Sequence, residues 1–287
     1  MTRAALSVCL LAVALPCAAQ PRLTNTKVTP EALTGSLDAA VRRIADAAGT
    51  QPAWVAWAAP IADSRSSLCC YTDWSSGVRG GCRLEPGSST TISRDADRSV
   101  RLELPESFFV FVRVENRRIE RVRMFSEDCE IVGGGVPVTL LTDVPPAMSV
   151  ALLSGVAGDG SSQRRVTKGA LSALAQHGVP EAVTSLIRLA RQAPESDVRG
   201  DALFWLSQRA GDRAAAAITE AIEHDPETQV KKKAVFALSQ LPADEGVPKL
   251  IDVARHNRNP AVRKQAMFWL GQSKDPRAIA FFEEILK

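Results

Sequence analysis

The stretch AVRKQAMFWLGQSKDPRAIA, residues 261–280, places apolar side chains every three or four residues, as an amphipathic helix does. Related stretches occur earlier in the chain at a constant offset of 32 residues. Three positions keep this spacing without slippage: Val166, Val198, Val230 and Val262; Ala170, Ala202, Ala234 and Ala266; Leu174, Leu206, Leu238 and Leu270. The repetition predicts an all-α solenoid of about four helix pairs over residues 158–287.

Two strings within these repeats carry a family resemblance. DVRGDAL at 197–203, and AVRKQAMFWLGQ at 261–272 followed by DPRA at 275–278, resemble the short bacterial HEAT repeat of the phycobilisome-lyase-like type. The resemblance covers residues 161–287 and implies a solenoid that binds other macromolecules. The lyases that share the repeat attach bilins to light-harvesting proteins, but nothing in this sequence resembles their chromophore-handling parts.

The beginning of the chain has the pattern of an export signal. Arg3 precedes an uncharged apolar run at 4–15, and small residues follow up to Ala19. This pattern predicts a signal peptide over 1–19, cleavage near Ala19 and a periplasmic or secreted protein. Lipidation at Cys17 is the alternative, which the preceding Pro16 disfavours. The run is shorter than the roughly 20 residues that span a bilayer, and no later stretch is more apolar, so we expect no membrane insertion.

Residues 20–157 have a different periodicity, which predicts an α+β domain that is mostly β. Ser36 is placed to cap a helix that Gly49 closes. Two apolar runs, Phe108–Val114 and Ile119–Phe125, flank Asn116 and predict a β-hairpin. Together with Cys69-Cys70, GCRLE at 81–85 and DCE at 128–130, the region is similar to the front part of some exported bacterial HEAT-repeat proteins.

Export makes disulfides the expected state of the four cysteines in this domain, Cys69, Cys70, Cys82 and Cys129. Their spacing lacks the two close pairs of a zinc site. Because neighbouring residues on a strand point to opposite faces, Cys69 and Cys70 are expected to take different partners. One would join Cys82 and the other Cys129, and the sequence leaves the choice open.

Charge and histidine content exclude some functions and weaken others. With 35 Lys and Arg against 32 Asp and Glu, and aromatic residues at 5%, the chain has no concentrated basic footprint for nucleic acid. The three histidines, His177, His224 and His256, all follow residue 157, which excludes a Ser-His-Asp centre in the N-terminal domain. We therefore expect a non-enzymatic protein without cofactor or metal. The alternative is a hydrolase-like or lyase-like enzyme with its site in the N-terminal domain or in an interdomain cleft.

Two sets of repeated residues are candidates for binding a protein partner. The basic set either lines a surface for an acidic ligand or pairs with turn residues such as Asp212, Asp244 and Asp275; it comprises Arg199, Lys231, Lys232, Arg263 and Lys264. The aromatic set either forms a peptide-binding stripe or packs between repeats; it comprises Trp205 and Trp269, beside Phe204, Phe236 and Phe268.

The last repeat ends on apolar residues, Phe281, Phe282, Ile285 and Leu286. They either fold under as core or form a contact surface for a partner or a second copy of the chain. The sequence thus predicts an exported, two-domain protein in which a disulfide-linked α+β domain precedes a solenoid that binds another protein.

Overall fold

A computed structural model describes residues 20–63, 68–69, 72–73, 78–79, 82–85, 105–127, 129–209 and 212–287. The expected signal peptide and Cys70 lie outside the described residues. The strands are β1 Arg22–Thr24, β2 Val28–Ala32, β3 Ala53–Pro60, β4 Thr72–Asp73, β5 Val78–Arg79, β6 Cys82–Arg83, β7 Ser107–Glu115, β8 Arg118–Ser126, β9 Glu130–Val132 and β10 Val138–Thr142. The helices are α1 Leu37–Ala48, α2 Pro146–Gly158, α3 Arg164–Gln176, α4 Pro180–Gln192, α5 Ser196–Ser207, α6 Asp212–His224, α7 Thr228–Ser239, α8 Ala243–His256, α9 Pro260–Gln272 and α10 Pro276–Ile285.

A mixed sheet is the centre of the N-terminal region. In the described part of the chain its order is β2-β10-β3-β7-β8, with β10 parallel to both β2 and β3 and with antiparallel pairing from β3 to β8. A smaller parallel sheet has the order β1-β9-β6. The region is therefore α+β with most of its described elements in strands.

The central sheet is buried on both faces. Along β3, Val55 and Trp57 belong to the core shared with the helices, whereas Trp54 and Ala56 pack with residues of the smaller sheet. β7 alternates in the same way, with Val110 on the first side. Since successive side chains of a strand point to opposite faces, continuous apolar runs such as AWVAWAA fit a sheet that is covered on both sides.

Local sequence explains helix α1 and the turn of the β7–β8 hairpin. Ser36 accepts a hydrogen bond from the Ala39 amide at the start of α1, and Gly49 ends the helix at φ 60°. The β7–β8 hairpin turns through Asn116 and Arg117, whose φ values are 52° and 59°. Positive φ at both central residues belongs to a type I′ turn, which matches the twist of the paired strands.

The 32-residue repeat of the sequence determines which side chains of the helical stretch are buried. All twelve of the repeated Val, Ala and Leu positions named above are buried, with exposed fractions between 0 and 7%. The helices α3, α5, α7 and α9 are called first helices here, and α4, α6, α8 and α10 second helices. Each first helix buries its Val-Ala-Leu stripe, and neighbouring first helices pack along the array. In the described ranges, no helix combines the length and apolar character needed to cross a membrane.

The sheet and the helical stretch share one hydrophobic core. Val122 on β8, Leu153 on α2 and Leu171 on α3 belong to the same buried cluster. Contact between α3 and β8 is so close that a Cβ on Gly169 would lie 2.5 Å from the Val122 carbonyl oxygen. α2 packs on both α3 and α4, so helix packing begins at Pro146, and the expected domain boundary after residue 157 stays a prediction.

Candidate functional site

Five aromatic side chains form a continuous row across three first helices, and we call them the aromatic row. Stacked rings join Phe204 on α5 to Phe236 on α7, with centroids 6.0 Å apart and planes 1° from parallel. Phe236 lies 4.9 Å from Trp269 on α9. Trp205 extends the row at one end, with its ring centroid 5.1 Å from that of Phe204. Phe268 extends it at the other end, with its centroid 5.0 Å from that of Trp269. The aromatic set thus packs between repeats and also forms one surface.

The aromatic row lies outside the tightly packed part of the core. Phe268 is 53% exposed, and the other four rings are partly exposed. The core positions on the same helices are already filled by smaller side chains such as Ala266 and Leu270. The indole Nε1 of Trp269 is buried and has no hydrogen-bond partner among the described residues.

Three members of the basic set donate hydrogen bonds to backbone carbonyls at the ends of the preceding second helices. Arg199 donates through Nη1 to the carbonyls of Ala193 and Pro194, each at 3.0 Å, just after α4. Lys231 donates to the Glu223 carbonyl at 2.6 Å near the end of α6, and Arg263 donates to that of Asn257 at 2.8 Å after α8. The last carbonyls of a helix have no partner within the helix, so these cations stabilise helix ends.

Arg199 is also part of a buried ion pair. Its Nε and Nη2 donate to the two carboxylate oxygens of Asp225 at 2.8 and 3.2 Å, and both residues are buried. The hydrogen bond to Asp225 raises the pKa of Arg199 above its usual value. Because Arg199 is only 8% exposed, it does not belong to the accessible surface that the sequence suggested.

The expected pairing of the basic set with turn aspartates is wrong for Asp275. Its carboxylate binds Arg277 at 2.7 and 2.8 Å within the same turn, and this bond lowers its pKa to about 2. The internal partner of Arg199 is Asp225, at the end of α6. Positions 32 residues on either side of Asp225 hold Ala193 and Asn257, so the repeat pattern gave no sign of this pair.

Among the described residues, Lys232 and Lys264 are the members of the basic set that bind neither a helix-end carbonyl nor a carboxylate. Lys232 is partly exposed and Lys264 is exposed. None of the ion pairs among the described residues involves either lysine. Each lies four residues before a ring of the aromatic row, on the same helix as Phe236 or Phe268, and residues four apart in a helix are neighbours on its surface.

Lys233, next to Lys232, has a different role. Its stem covers Gly200, where an added Cβ would lie 2.2 Å from the Lys233 Cδ atom. Its Nζ contacts Asp197 at 2.9 Å and Asp201 at 3.3 Å on α5. The bond from Lys233 lowers the pKa of Asp197. Both acidic residues of α5 therefore have a cationic partner within the array.

Sequence reasoning missed a row of glutamines four residues after the phenylalanines. Gln208, Gln240 and Gln272 are exposed at the ends of α5, α7 and α9. The side-chain Nε2 of Gln208 donates to Ser207 Oγ at 3.3 Å, and that of Gln240 donates to Ser239 Oγ at 3.2 Å. The 32-residue spacing of these amides was a signal available in the sequence.

The histidines lie away from the aromatic row. His177 is fully buried beside the sheet, where its Nε2 lies 2.7 Å from Ser149 Oγ and its Nδ1 2.8 Å from the Ala173 carbonyl. Trp57 donates to the same hydroxyl at 2.7 Å. Because Nδ1 donates to the Ala173 carbonyl, Nε2 of the neutral ring accepts, and Ser149 is the donor to it. Burial lowers the pKa of His177 to about 4. This neutral chain of hydrogen bonds ties the sheet to α2 and α3.

His224 and His256 are exposed at the ends of second helices. His256 Nδ1 lies 2.8 Å from an Asp252 oxygen. Within the part of the chain that the structure describes, no three His, Cys, Asp or Glu side chains are grouped to hold a metal ion.

One of the allowed cysteine pairs is formed in the structure. Cys69 and Cys129 are bonded, with sulfur atoms 2.06 Å apart and Cα atoms 5.3 Å apart. Cys82 is buried in the core between the two sheets. The second expected bridge involves Cys70, outside the described residues, and stays a prediction.

The N-terminal region also contains a groove of about 690 Å³ between α1, α2 and the β7–β8 turn. Apolar side chains such as Val41, Met148 and Leu152 line it, and Asp38, already paired with Arg42, lies at its rim.

The apolar end of the helical stretch divides between core and surface. Phe281 is buried, which agrees with the first interpretation of this end. That interpretation is wrong for Ile285 and Leu286, which are exposed, as is Ile279 on the same helix.

Comparison with known proteins agrees with the helical part of this description. A family model described as HEAT repeats matches residues 215–287, which lie within the helical stretch. No curated protein matches the sequence. Among solved structures, human deoxyhypusine hydroxylase in complex with glycerol is similar over 42% of this chain and 42% of that chain, with 20% identity and a TM-score of 0.36.

Proposed function

We propose that this chain is an exported, non-enzymatic scaffold of the short HEAT-repeat type that binds another protein through the aromatic row. HEAT repeats are commonly protein-interaction modules, since stacked helix pairs present an extended surface beyond their core. The observation that carries the proposal is the row itself, five partly exposed rings in contact across three repeats. Aromatic side chains supply many of the strongest contacts in protein interfaces.

Two lysines beside the aromatic row favour the first helices as the binding surface. Second helices are joined to one another by ion pairs, Arg191 to Glu220 and Arg255 to Glu284. These four charges therefore have partners within the array, as Lys233 and Asp197 do on the first helices. The aromatic row, by contrast, is flanked by Lys232 and Lys264, for which no such pair is found among the described residues.

Partner capture with matched variants tests the proposal. The mature chain, immobilised, is exposed to the exported fraction of the source cells, and captured proteins are quantified. The test variant is Phe268→Ala with Trp269→Ala. The control is Ile279→Ala with Leu286→Ala, which removes exposed apolar side chains from α10 and from the residue that follows it. We expect a captured protein to be lost with the first pair and kept with the second, at equal helicity by circular dichroism.

Two results would contradict the assignment of binding to the aromatic row. Equal capture by both variants would remove the function from the aromatic row. Loss of capture only on disturbing the α1–α2 groove, together with turnover of a small-molecule substrate, would favour the enzyme alternative in the N-terminal region.

Export is the part of the proposal carried by the chain's first residues. The apolar run at 4–15 and the small residues that follow support cleavage near Ala19. Amino-terminal sequencing of the protein from the periplasmic or secreted fraction is expected to start at Gln20; an intact Met1 there would contradict cleavage.

The exposed face of α10 supports self-association as a separate proposal. Ile279 and Ile285 on this helix and Leu286 just after it are exposed. Light scattering is expected to report a concentration-dependent dimer that Ile285→Lys abolishes. A monomer at all concentrations would contradict it.

A further inference from the structure

We infer that the face containing the aromatic row binds an extended, acidic polypeptide segment that also carries apolar side chains. The inference rests on the proposed function and names the chemistry of the partner. It follows from three parallel rows of side chains on α5, α7 and α9: lysines, rings and amides.

The rows follow from helix geometry combined with the 32-residue register. In α7, Lys232, Phe236 and Gln240 lie at steps of four residues, and α9 repeats the series as Lys264, Phe268 and Gln272. Side chains four residues apart lie one above the other on a helix. Because α5, α7 and α9 pack side by side, equivalent positions align across the array. α5 contributes Phe204 and Gln208, with Gly200 at the lysine position.

Charge complementarity selects an acidic partner. Neither Lys232 nor Lys264 forms an ion pair among the described residues, whereas the neighbouring Asp197 and Asp201 are held by Lys233. Arg164 adds a second cation to Asp197 at 3.0 Å. Lys232 and Lys264 therefore give the face positive charge that no ion pair among the described residues neutralises. An interface of this kind attracts a partner of opposite charge and repels a basic one.

The amides favour an extended chain over a folded acidic surface. Gln208 and Gln240 each use Nε2 on a neighbouring serine, and those serines are themselves fixed by 2.7 Å bonds to the Phe204 and Phe236 carbonyls. A primary amide has two donors and an acceptor oxygen, so each exposed glutamine keeps hydrogen-bonding groups directed to solvent. Such groups can pair with the free N–H and C=O groups of an extended peptide, whatever its sequence.

The size of the face sets the length of the segment. Packed helices are about 8–10 Å apart, so crossing three of them takes about 18 Å. At about 3.3 Å per residue, an extended segment needs about six residues for the crossing and about nine with overhang.

Fluorescence anisotropy with defined peptides tests the inference on the full mature chain. The probe is a labelled peptide of about nine residues that alternates Glu and Leu. One comparison peptide has Lys in place of Glu, and another has Ser in place of Leu. The variant Lys232→Glu with Lys264→Glu is compared with Lys27→Glu with Lys249→Glu, which changes the net charge equally at other sites.

We expect the Glu-Leu peptide to bind at least about tenfold more tightly than either comparison peptide. The first double variant should lose about tenfold in affinity for it and gain affinity for the Lys-Leu peptide, a reversal that a misfolded protein cannot give. The control double variant should change by less than about twofold, since exposed charges elsewhere contribute little. Binding of the Glu-Leu and Lys-Leu peptides with equal affinity, or equal losses in the two double variants, would overturn the inference.

Binding of the Glu-Ser peptide as tightly as the Glu-Leu peptide would also overturn it, because the face would then recognise charge alone. The inference can fail while the proposed function stands. If Phe268→Ala with Trp269→Ala abolishes partner capture while the lysine reversals leave it unchanged, the aromatic row binds a protein but the partner is not acidic.

Discussion

The sheet-containing region and the helical stretch use the same aromatic residue types for different purposes. In the sheet, Trp57, Phe109 and Phe111 are fully buried because layers cover both faces. In the helical stretch, the rings of the aromatic row stay partly exposed, since Val, Ala and Leu already fill the core between helices. Aromatic residues are thus needed for packing in one region and are available for contact with a partner in the other.

Truncating one ring from each region should give the largest difference. Phe111→Ala should lower the free energy of unfolding by about 3 to 5 kcal/mol, because it opens a cavity in the core between the sheets. Phe268→Ala should cost less than about 1 kcal/mol, because that ring is 53% exposed. Urea unfolding of the two variants measures both values. Similar costs would mean that the aromatic row is structural.

Cations of the helical stretch allow the same comparison within one region. Asp225→Ala should cost about 3 to 5 kcal/mol, since it leaves the buried Arg199 guanidinium without its carboxylate. Lys232→Ala should be nearly neutral for stability, as expected of a partly exposed side chain outside the ion pairs of the described residues. Urea midpoints provide the measurement. A neutral Asp225→Ala would show that Arg199 reaches another partner.

Acid should weaken the junction between the regions through His177. Its pKa is about 4 in the folded chain against an ordinary value of 6.5, because burial disfavours the charged ring. The unfolded chain therefore binds a proton first as the pH falls, and stability drops between about pH 6.5 and 4. The full loss is about 3 kcal/mol.

His177→Gln supplies the control for that pH dependence. Glutamine keeps hydrogen-bonding groups near Ser149 but does not titrate. The free energy of unfolding of the His177→Gln protein should therefore change less between pH 6.5 and 4 than that of the original protein. Thermal melts from pH 7 to 4 compare the two proteins. Parallel curves would assign the acid sensitivity to carboxylates elsewhere.

The sequence predicted what depends on local pattern. The Val-Ala-Leu register gave the buried stripe of each first helix, Ser36 and Gly49 gave the ends of α1, and Asn116 gave the β7–β8 turn. Strand order escaped prediction, because β10 pairs with both β2 and β3 over long separations in sequence. Such pairings depend on how the layers assemble rather than on local signals.

The same distinction between local pattern and long-range assembly applies to the candidate site. Rings and lysines at repeated positions were found from their spacing, and the glutamines were equally visible but were passed over. Burial of Arg199 was not visible, because its partner Asp225 occurs in one repeat only. Close contact of α3 with β8 was hidden as well, since it requires both regions to be folded.

That contact gives the smallest expected effect and the sharpest test of whether the two regions are one folding unit. Gly169→Ala places a Cβ 2.5 Å from the Val122 carbonyl oxygen, a backbone atom that cannot turn aside. Gly271→Ala, in α9, meets nothing within 4 Å. The second change should stabilise the protein by up to about 1 kcal/mol through helix propensity. The first should destabilise it by about 1 to 2 kcal/mol, because the clash exceeds the same gain. If Gly169→Ala is instead as stable as Gly271→Ala by urea unfolding, α3 does not press on the sheet, and the helical stretch folds without support from the N-terminal region.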